Sequence, residues 1–127
     1  MILKKEAIES ISNKLCLNFT GIEQDWDVEF ANPDKLNEYL SFYQKNENNL
    51  SEDEKFALMA LIWASYDEYL SIQEKEKVDF WNKIKELVAS EQIIFSDLIK
   101  YWSVENEKDS EMFYHITPLA RNLKTST

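Results

Sequence analysis

The segment that most constrains the fold is residues 56–70, FALMALIWASYDEYL. Twelve of these fifteen residues are apolar or aromatic, and the run from Phe56 to Ala64 is unbroken. Nine consecutive apolar residues are too few to cross a bilayer, which needs about 20, and too many for one face of a surface helix. We therefore predict a helix that is buried around most of its circumference and has neighbouring elements on at least two sides.

The start of this helix is marked by its own sequence. Ser51 can cap the helix, and Glu54, three residues later, completes the capping-box pattern S-x-x-E. Acidic residues in the first turn also face the positive end of the helix dipole. We predict a helix from residue 52 to about residue 72. Its narrow strip of small or polar residues consists of Ala60, Ala64, Asp67 and Ser71.

Four further segments have the periodicity of amphipathic helices, and a fifth has a helix-start signal. The four are residues 3–16, 33–45, 78–89 and 90–103, and the fifth is a short closing helix from Thr117 to Leu123. Asn32 followed by Pro33 is a helix-start signal. Residues 73–77, QEKEK, fit either a solvated continuation of the central helix or a break, and a break before the last long helix fits either Ser90 or Ser96. The predicted fold is mainly α, a bundle of about five or six helices around a central buried helix.

One segment has a different period. Acidic residues alternate with Trp26, Val28 and Phe30, and a period of two is typical of a strand. Residues 112–116 are short and aromatic and could also be extended. If residues 24–30 and 112–116 pair, a small two-stranded sheet lies beside the helices; the sequence alone leaves that pairing open.

Length and composition limit the classes of protein to which the chain can belong. The 127 residues predict one domain, spanning 1–127 with a polar tail at 124–127. A content of 44% hydrophobic and 13% aromatic residues is that of a globular protein. The net charge of −10 argues against nucleic-acid binding, which needs a basic surface, and permits a basic protein partner.

The compartment follows from features that the sequence lacks. Cys16 is the single cysteine, so no internal disulfide can form, which fits a reducing compartment. The first 15 residues do not have the pattern of a signal peptide, and no segment has the length of a membrane span. We expect a cytoplasmic protein that does not bind membranes.

Motifs for catalysis, metals and cofactors are weak or incomplete. His115 is the single histidine, and HExxH is absent. Asp25-x-Asp27-x-Glu29 begins like a calcium loop but lacks the required glycine and the final glutamate. Cys16 and His115 could form a nucleophile and base, but no flanking motif supports the pair. We predict no metal, no cofactor and no enzymatic activity.

The candidate partner-binding surface consists of two acidic segments. The first contains a tryptophan, and the second follows one. Tryptophan commonly anchors interfaces, whereas Trp63, Tyr66, Trp81 and Tyr101 lie on predicted core faces. The candidate residues are Glu23, Asp25, Trp26, Asp27, Glu29, Trp102, Glu105, Glu107, Asp109 and Glu111.

Three stretches resemble a known class of proteins. They are DWDVEFANPDKLNEYL, LSEDEKFALMALIWASYDEYL and FYHITPLAR, which together span Trp26 to Arg121. This combination is similar to small acidic helical immunity proteins, which accompany secreted bacterial toxins. The resemblance implies a cognate toxin bound in the cytoplasm and inhibited by occlusion of a basic site. The alternative is a helical scaffold or homo-oligomerisation module without catalytic activity.

Overall fold

A computed structural model of the chain describes residues 3–21, 25–72, 79–104 and 106–125. Within these ranges the fold is mainly α, as predicted, and contains no strand. Three short 3-10 helices, Pro33–Lys35, Glu47–Asn49 and Ser110–Met112, join the longer elements. The α-helices are α1 (Lys5–Lys14), α2 (Trp26–Glu29), α3 (Leu36–Asn46), α4 (Glu52–Ser71), α5 (Trp81–Ser90), α6 (Gln92–Ser103) and α7 (Thr117–Thr125).

Helix α4 is buried along most of its length. Every residue from Phe56 to Tyr66 is buried, and α4 contacts α1, α2, α3 and α6. Each large apolar side chain that is removed from water in this way contributes about 1.5–3 kcal/mol. The predicted capping box is present, because the Glu54 N–H donates to Ser51 Oγ at 3.1 Å and the Ser51 N–H donates to Glu54 Oε1 at 3.0 Å.

The bounds of the other helices agree with the sequence signals to within a few residues. Asn32 Oδ1 accepts a hydrogen bond from the Asp34 N–H at 2.9 Å, where the sequence predicts a cap. Of the two candidate breaks, the chain uses the one next to Ser90, since Glu91 is not helical. Lys55 Nζ of α4 donates to the Glu91 carboxylate at 2.7 Å, so the residue between α5 and α6 is bonded to α4. Residues 73–77 lie outside the described residues.

The structure corrects the first half of the predicted β pair. Residues 26–29 form helix α2 and not a strand. The discriminating observation is that Trp26 is 1% exposed whereas Val28 is 50% exposed. Residues i and i+2 share a face in a strand but lie about 200° apart around a helix, and a four-residue pattern cannot separate the two by period alone. Helix α7 ends at Thr125, two residues beyond the predicted end of the closing helix at Leu123.

The second half of the proposed β pair is likewise not extended into a strand. Residues 110–112 form a 3-10 helix, and a turn then leads into α7. The segment that follows contacts the helices through a hydrogen bond from the Ile116 N–H to Asp67 Oδ1 at 2.9 Å and through the Tyr114 ring, which packs against Trp102. No partner strand is therefore available for residues 112–116 within the described part of the chain.

Glu54 links α1 to the start of α4. Its carboxylate accepts hydrogen bonds from Ser10 Oγ at 2.6 Å, from Lys14 Nζ at 2.9 Å and from the Ser51 N–H. Burial by itself raises the pKa of this carboxyl group, but the hydrogen bonds from Lys14, Ser10 and Ser51 outweigh it and lower the pKa to about 2. The ionised form is therefore the one that the folded state stabilises.

We expect Glu54→Gln to lower the free energy of unfolding by about 1 kcal/mol at neutral pH. A lowered folded-state pKa contributes stability that is present above the ordinary value of 4.5 and is lost as the pH falls towards about 2. The difference between the two proteins should therefore shrink across that interval, as measured by urea unfolding at several pH values. Glu38→Gln, on an exposed position of α3, is the control; a difference that stays constant down to about pH 2 would contradict the assignment.

Candidate functional site

A groove runs between α2 and α6, over the narrow strip of α4. It consists of two adjoining cavities of about 340 and 330 Å³, which share Asp25, Val28 and Tyr101. We name them after the α4 residue that lines each one. The Ala60 cavity is lined by Leu3, Asp25, Asp27, Val28, Phe56, Ala60, Asp97, Leu98 and Tyr101. The Ala64 cavity is lined by Asp25, Val28, Ala31, Ala64, Asp67, Glu68, Tyr101, Trp102 and Tyr114.

The groove depends on two alanines. Ala60 and Ala64 lie four residues apart on one face of α4, and they are 2% and 3% exposed. Their methyl groups leave space between the walls that larger side chains would fill. The strip of small residues that the sequence shows on α4 is therefore not a solvated edge. It is the apolar floor of the groove.

The α2 wall is held in place by side chains from other elements. The Trp26 indole N–H donates to Ser12 Oγ of α1 at 2.9 Å in the buried interior. Beyond the end of α2, the Asn32 N–H donates to Ser65 Oγ of α4 at 3.0 Å. A four-residue helix has no stability of its own in water. These two hydrogen bonds and the burial of Trp26 therefore determine where the α2 side chains Asp25 and Asp27 lie.

The described part of the groove carries negative charge. Five carboxylates line the two cavities, and no lysine or arginine from the described ranges does; the five are Asp25, Asp27, Asp67, Glu68 and Asp97. Burial raises the pKa of Asp27, and the nearby Asp25 carboxylate adds to this effect, although the backbone N–H groups of Asp27 and Val28 oppose it. The fold therefore stabilises the ionised form of Asp27 less well than water does, which a positively charged ligand would offset.

The α6 wall presents stacked aromatic rings. Tyr101 is 57% exposed and Tyr114 is 39% exposed; their rings stack at 6.0 Å and their hydroxyl oxygens lie 3.4 Å apart. Tyr114 also packs edge-on against Trp102 at 4.8 Å. The hydrogen bond to Tyr114, together with burial and the Asp27 and Asp25 charges, raises the pKa of Tyr101 to about 12. The exposed position of this ring leaves it open to contact with a ligand.

The position of Tyr114 follows from the start of α7. Its N–H donates to Thr117 Oγ1 at 3.0 Å, and the same hydroxyl donates to the Trp102 carbonyl oxygen at 2.8 Å. Two residues on from Tyr114, the Ile116 N–H is bound by Asp67 of α4. Three elements that are distant in sequence, α4, α6 and the segment before α7, therefore meet at the Ala64 cavity.

The residues of the first predicted acidic segment lie in three different environments. Asp25 and Asp27 line the groove. Glu29 is exposed on α2 but lines neither cavity. Trp26 is buried, so its prediction as a partner contact is wrong: its ring is used to attach α2 to the core. Glu23 lies outside the described residues.

The second predicted segment does not join the first. The Glu107 carboxylate accepts a hydrogen bond from the Asp109 N–H at 2.9 Å, and the Asp109 carboxylate accepts one from the Glu111 N–H at 3.0 Å, so both shape their own loop. None of these three residues lines the groove. Trp102 is 3% exposed and lies apart from this loop, but it lines the Ala64 cavity of the groove. Glu105 lies outside the described residues.

Several groove residues were not identified from the sequence. Tyr101 was predicted to be in the core and is more than half exposed, and Tyr114, Glu68 and Asp97 had no distinguishing pattern. Asp67 did have one, because it continues the strip of Ala60 and Ala64 on α4. A polar residue that extends a strip of small residues on a buried helix is the signal that could have located the groove.

Other kinds of site find no support among the described residues. No group of three or more His, Cys, Asp or Glu side chains in these ranges is arranged to hold a metal ion. Cys16 and His115 are both exposed. None of the helices in the described ranges has the combined length and apolarity needed to span a membrane. Comparisons with protein-family models, with curated proteins and with solved structures find no match to this chain.

Proposed function

We propose that this protein is a protein-binding inhibitor that captures a basic partner in the groove between α2 and α6. The observation that carries the proposal is a set of five carboxylates around an apolar and aromatic groove to whose lining the described residues contribute no lysine or arginine. Such a surface attracts a partner that brings positive charge together with apolar contact area. It offers no arrangement of groups that suggests turnover.

The specific form of the proposal is an immunity protein that neutralises a cognate bacterial toxin in the cytoplasm. Its mechanism is occlusion: the groove covers a basic site that the toxin needs for its own activity. A net charge of −10 accelerates the encounter with such a partner and keeps the unbound protein soluble. The mechanism requires no metal, cofactor, nucleic acid or membrane.

A charge-neutralising variant tests this proposal. The partner to use is the purified C-terminal domain of a large secreted protein, if one is encoded by the gene directly upstream. We expect the triple variant Asp25→Asn, Asp27→Asn, Glu68→Gln to raise the Kd at least about 30-fold, because rim and buried charge contacts are both lost. Calorimetry at rising salt measures the effect, and co-expression with the toxin domain measures protection of the cells.

The matched control carries the same change of charge elsewhere. Asp34, Glu38 and Glu86 are exposed and line neither cavity, so the variant Asp34→Asn, Glu38→Gln, Glu86→Gln should bind within about threefold of the unchanged protein. Equal weakening by both triple variants would mean that only net charge matters. Unchanged binding by the groove variant would remove the groove from the interface.

The alternative, a scaffold that self-associates, is less favoured. Two copies that met through the groove would bring carboxylates of the same sign together, which costs free energy. Of the described residues away from the groove, Ile93 is 94% exposed and Met112 is 63% exposed, but apolar side chains that are exposed singly are normal for a monomer surface. A molecular mass by light scattering that rises with protein concentration would favour the scaffold instead.

A further inference from the structure

Resting on the proposed function, we infer that the Ala64 cavity receives an arginine side chain of the protein partner. The remainder of the groove is then the surface on which the flanking segment of the partner lies. The inference rests on three features of this cavity: its carboxylates, its stacked tyrosine rings and one buried hydrogen-bond donor that has no acceptor.

The carboxylates supply the charge. Asp25, Asp67 and Glu68 line this cavity, which has a volume of about 330 Å³. Asp67 uses Oδ1 to accept the Ile116 N–H, and its Oδ2 and the Glu68 carboxylate have no hydrogen bond within the described ranges. Arginine has five N–H donors in a planar fork, which lets one guanidinium group contact more than one carboxylate.

The aromatic rings select arginine over lysine. Tyr101 and Tyr114 are stacked 21° from parallel at the mouth of the cavity, and both are partly exposed. A guanidinium group stacks on such a face and is less strongly hydrated than an ammonium group. The fold already contains this contact, since the Arg121 guanidinium carbon lies 4.1 Å from the centre of the Phe113 ring.

The unpaired donor indicates a protein segment and not a free cation. Trp102 lines the cavity and is 3% exposed, yet its indole N–H has no hydrogen-bond partner in the part of the chain that the structure describes. A buried donor without an acceptor costs about 1–3 kcal/mol. This N–H is covered in the free protein, so the inference includes a small movement of the Trp102 ring that lets a backbone carbonyl oxygen of the arginine-bearing segment accept from it. A bare metal ion could not, and the described residues hold no metal-binding group of three.

Nuclear magnetic resonance of the indole N–H of Trp102 tests the inference. The signal is assigned by its absence in Trp102→Phe. The probe is the peptide acetyl-Gly-Arg-Gly-amide, titrated into the millimolar range, with peptides that carry lysine or the neutral analogue citrulline for comparison. We expect a saturable shift of the Trp102 signal and binding at least about tenfold tighter for the arginine peptide than for either comparison peptide.

Variants locate the binding. The double variant Asp25→Asn, Glu68→Gln should bind the arginine peptide at least about tenfold more weakly. The control double variant Glu38→Gln, Glu86→Gln should bind it as tightly as the unchanged protein does. No saturable shift, equal binding of citrulline, tighter binding of lysine, or equal loss in both variants would each overturn the inference.

The inference and the proposed function fail in different ways. The first case is that the arginine peptide does not bind but the groove triple variant binds the toxin domain more weakly. That result supports the proposed function and contradicts the arginine inference. If the peptide binds but the triple variant retains the toxin domain at full affinity, the proposed function falls, and with it the assignment of the cavity to that partner.

Discussion

Replacing Trp26 with alanine is expected to lower the free energy of unfolding by about 4 kcal/mol and to abolish binding at the groove. The indole is 1% exposed in the main core and donates a hydrogen bond to Ser12 Oγ at 2.9 Å. Its removal leaves a large cavity and an unpaired buried hydroxyl group. Because α2 has only four residues, it cannot stay in place without this attachment, and Asp25 and Asp27 would leave the groove.

Urea unfolding and calorimetry with the partner together check this result. Trp26→Phe keeps part of the packing and removes the hydrogen bond, so its cost should be intermediate. Val28→Ala is the control on the same helix: Val28 is 50% exposed, and its loss should change the free energy of unfolding by less than about 0.5 kcal/mol. A cost below about 1 kcal/mol for Trp26→Ala would show that α2 is not held by this side chain.

Replacing Arg121 with alanine is expected to lower the free energy of unfolding by about 3 kcal/mol. Its guanidinium group donates to the carbonyl oxygens of Ser103 at 2.7 Å, of Val104 at 2.8 Å and of Glu107 at 2.8 Å. Hydrogen bonds to a charged donor contribute about 1.5–3 kcal/mol each in favourable cases, and the ring of Phe113 adds a cation–π contact. The partial exposure of the side chain reduces the total.

The same side chain holds the end of α6 in an unfavourable conformation. Val104 has a φ of +47°, in the left-handed region that a β-branched residue rarely adopts. Without Arg121 this turn should relax, and hydrogen exchange at the end of α6 should accelerate. Arg121→Lys separates charge from geometry, since an ammonium group cannot reproduce the planar fork; a lysine variant as stable as the original would contradict the role given to the three carbonyl contacts.

Local signals in the sequence identified helix starts correctly because a cap is a contact between neighbours in the chain. Ser51 and Glu54 form both hydrogen bonds of the capping box, and Asn32 caps the turn that begins at Pro33. The mainly α fold follows from the same kind of information, since periodicity of apolar residues is read over a few turns.

Only part of the candidate groove could be predicted from the sequence. Asp25 and Asp27 were identified, because the acidic run around Trp26 is visible in the chain. Their partners across the groove were not, since Glu68 is 43 residues away in the chain from Asp25, by the numbering of the sequence. Trp26 was assigned to the partner surface because it neighbours acidic residues, but its ring is buried in the core. Trp102, assigned on the same ground, is almost as buried but lines the Ala64 cavity.

The sequence by itself determined that the chain is helical, that residues 56–64 are buried, and that the surface is acidic, because these properties depend on composition and on contacts within a few turns. Only the tertiary structure decided that residues 26–29 form a helix. It also decided that Tyr101 and Tyr114 lie across the groove from α2, with two alanines of α4 between them. The physical reason is that a groove is made by what several elements leave unfilled between them. No single segment carries that information.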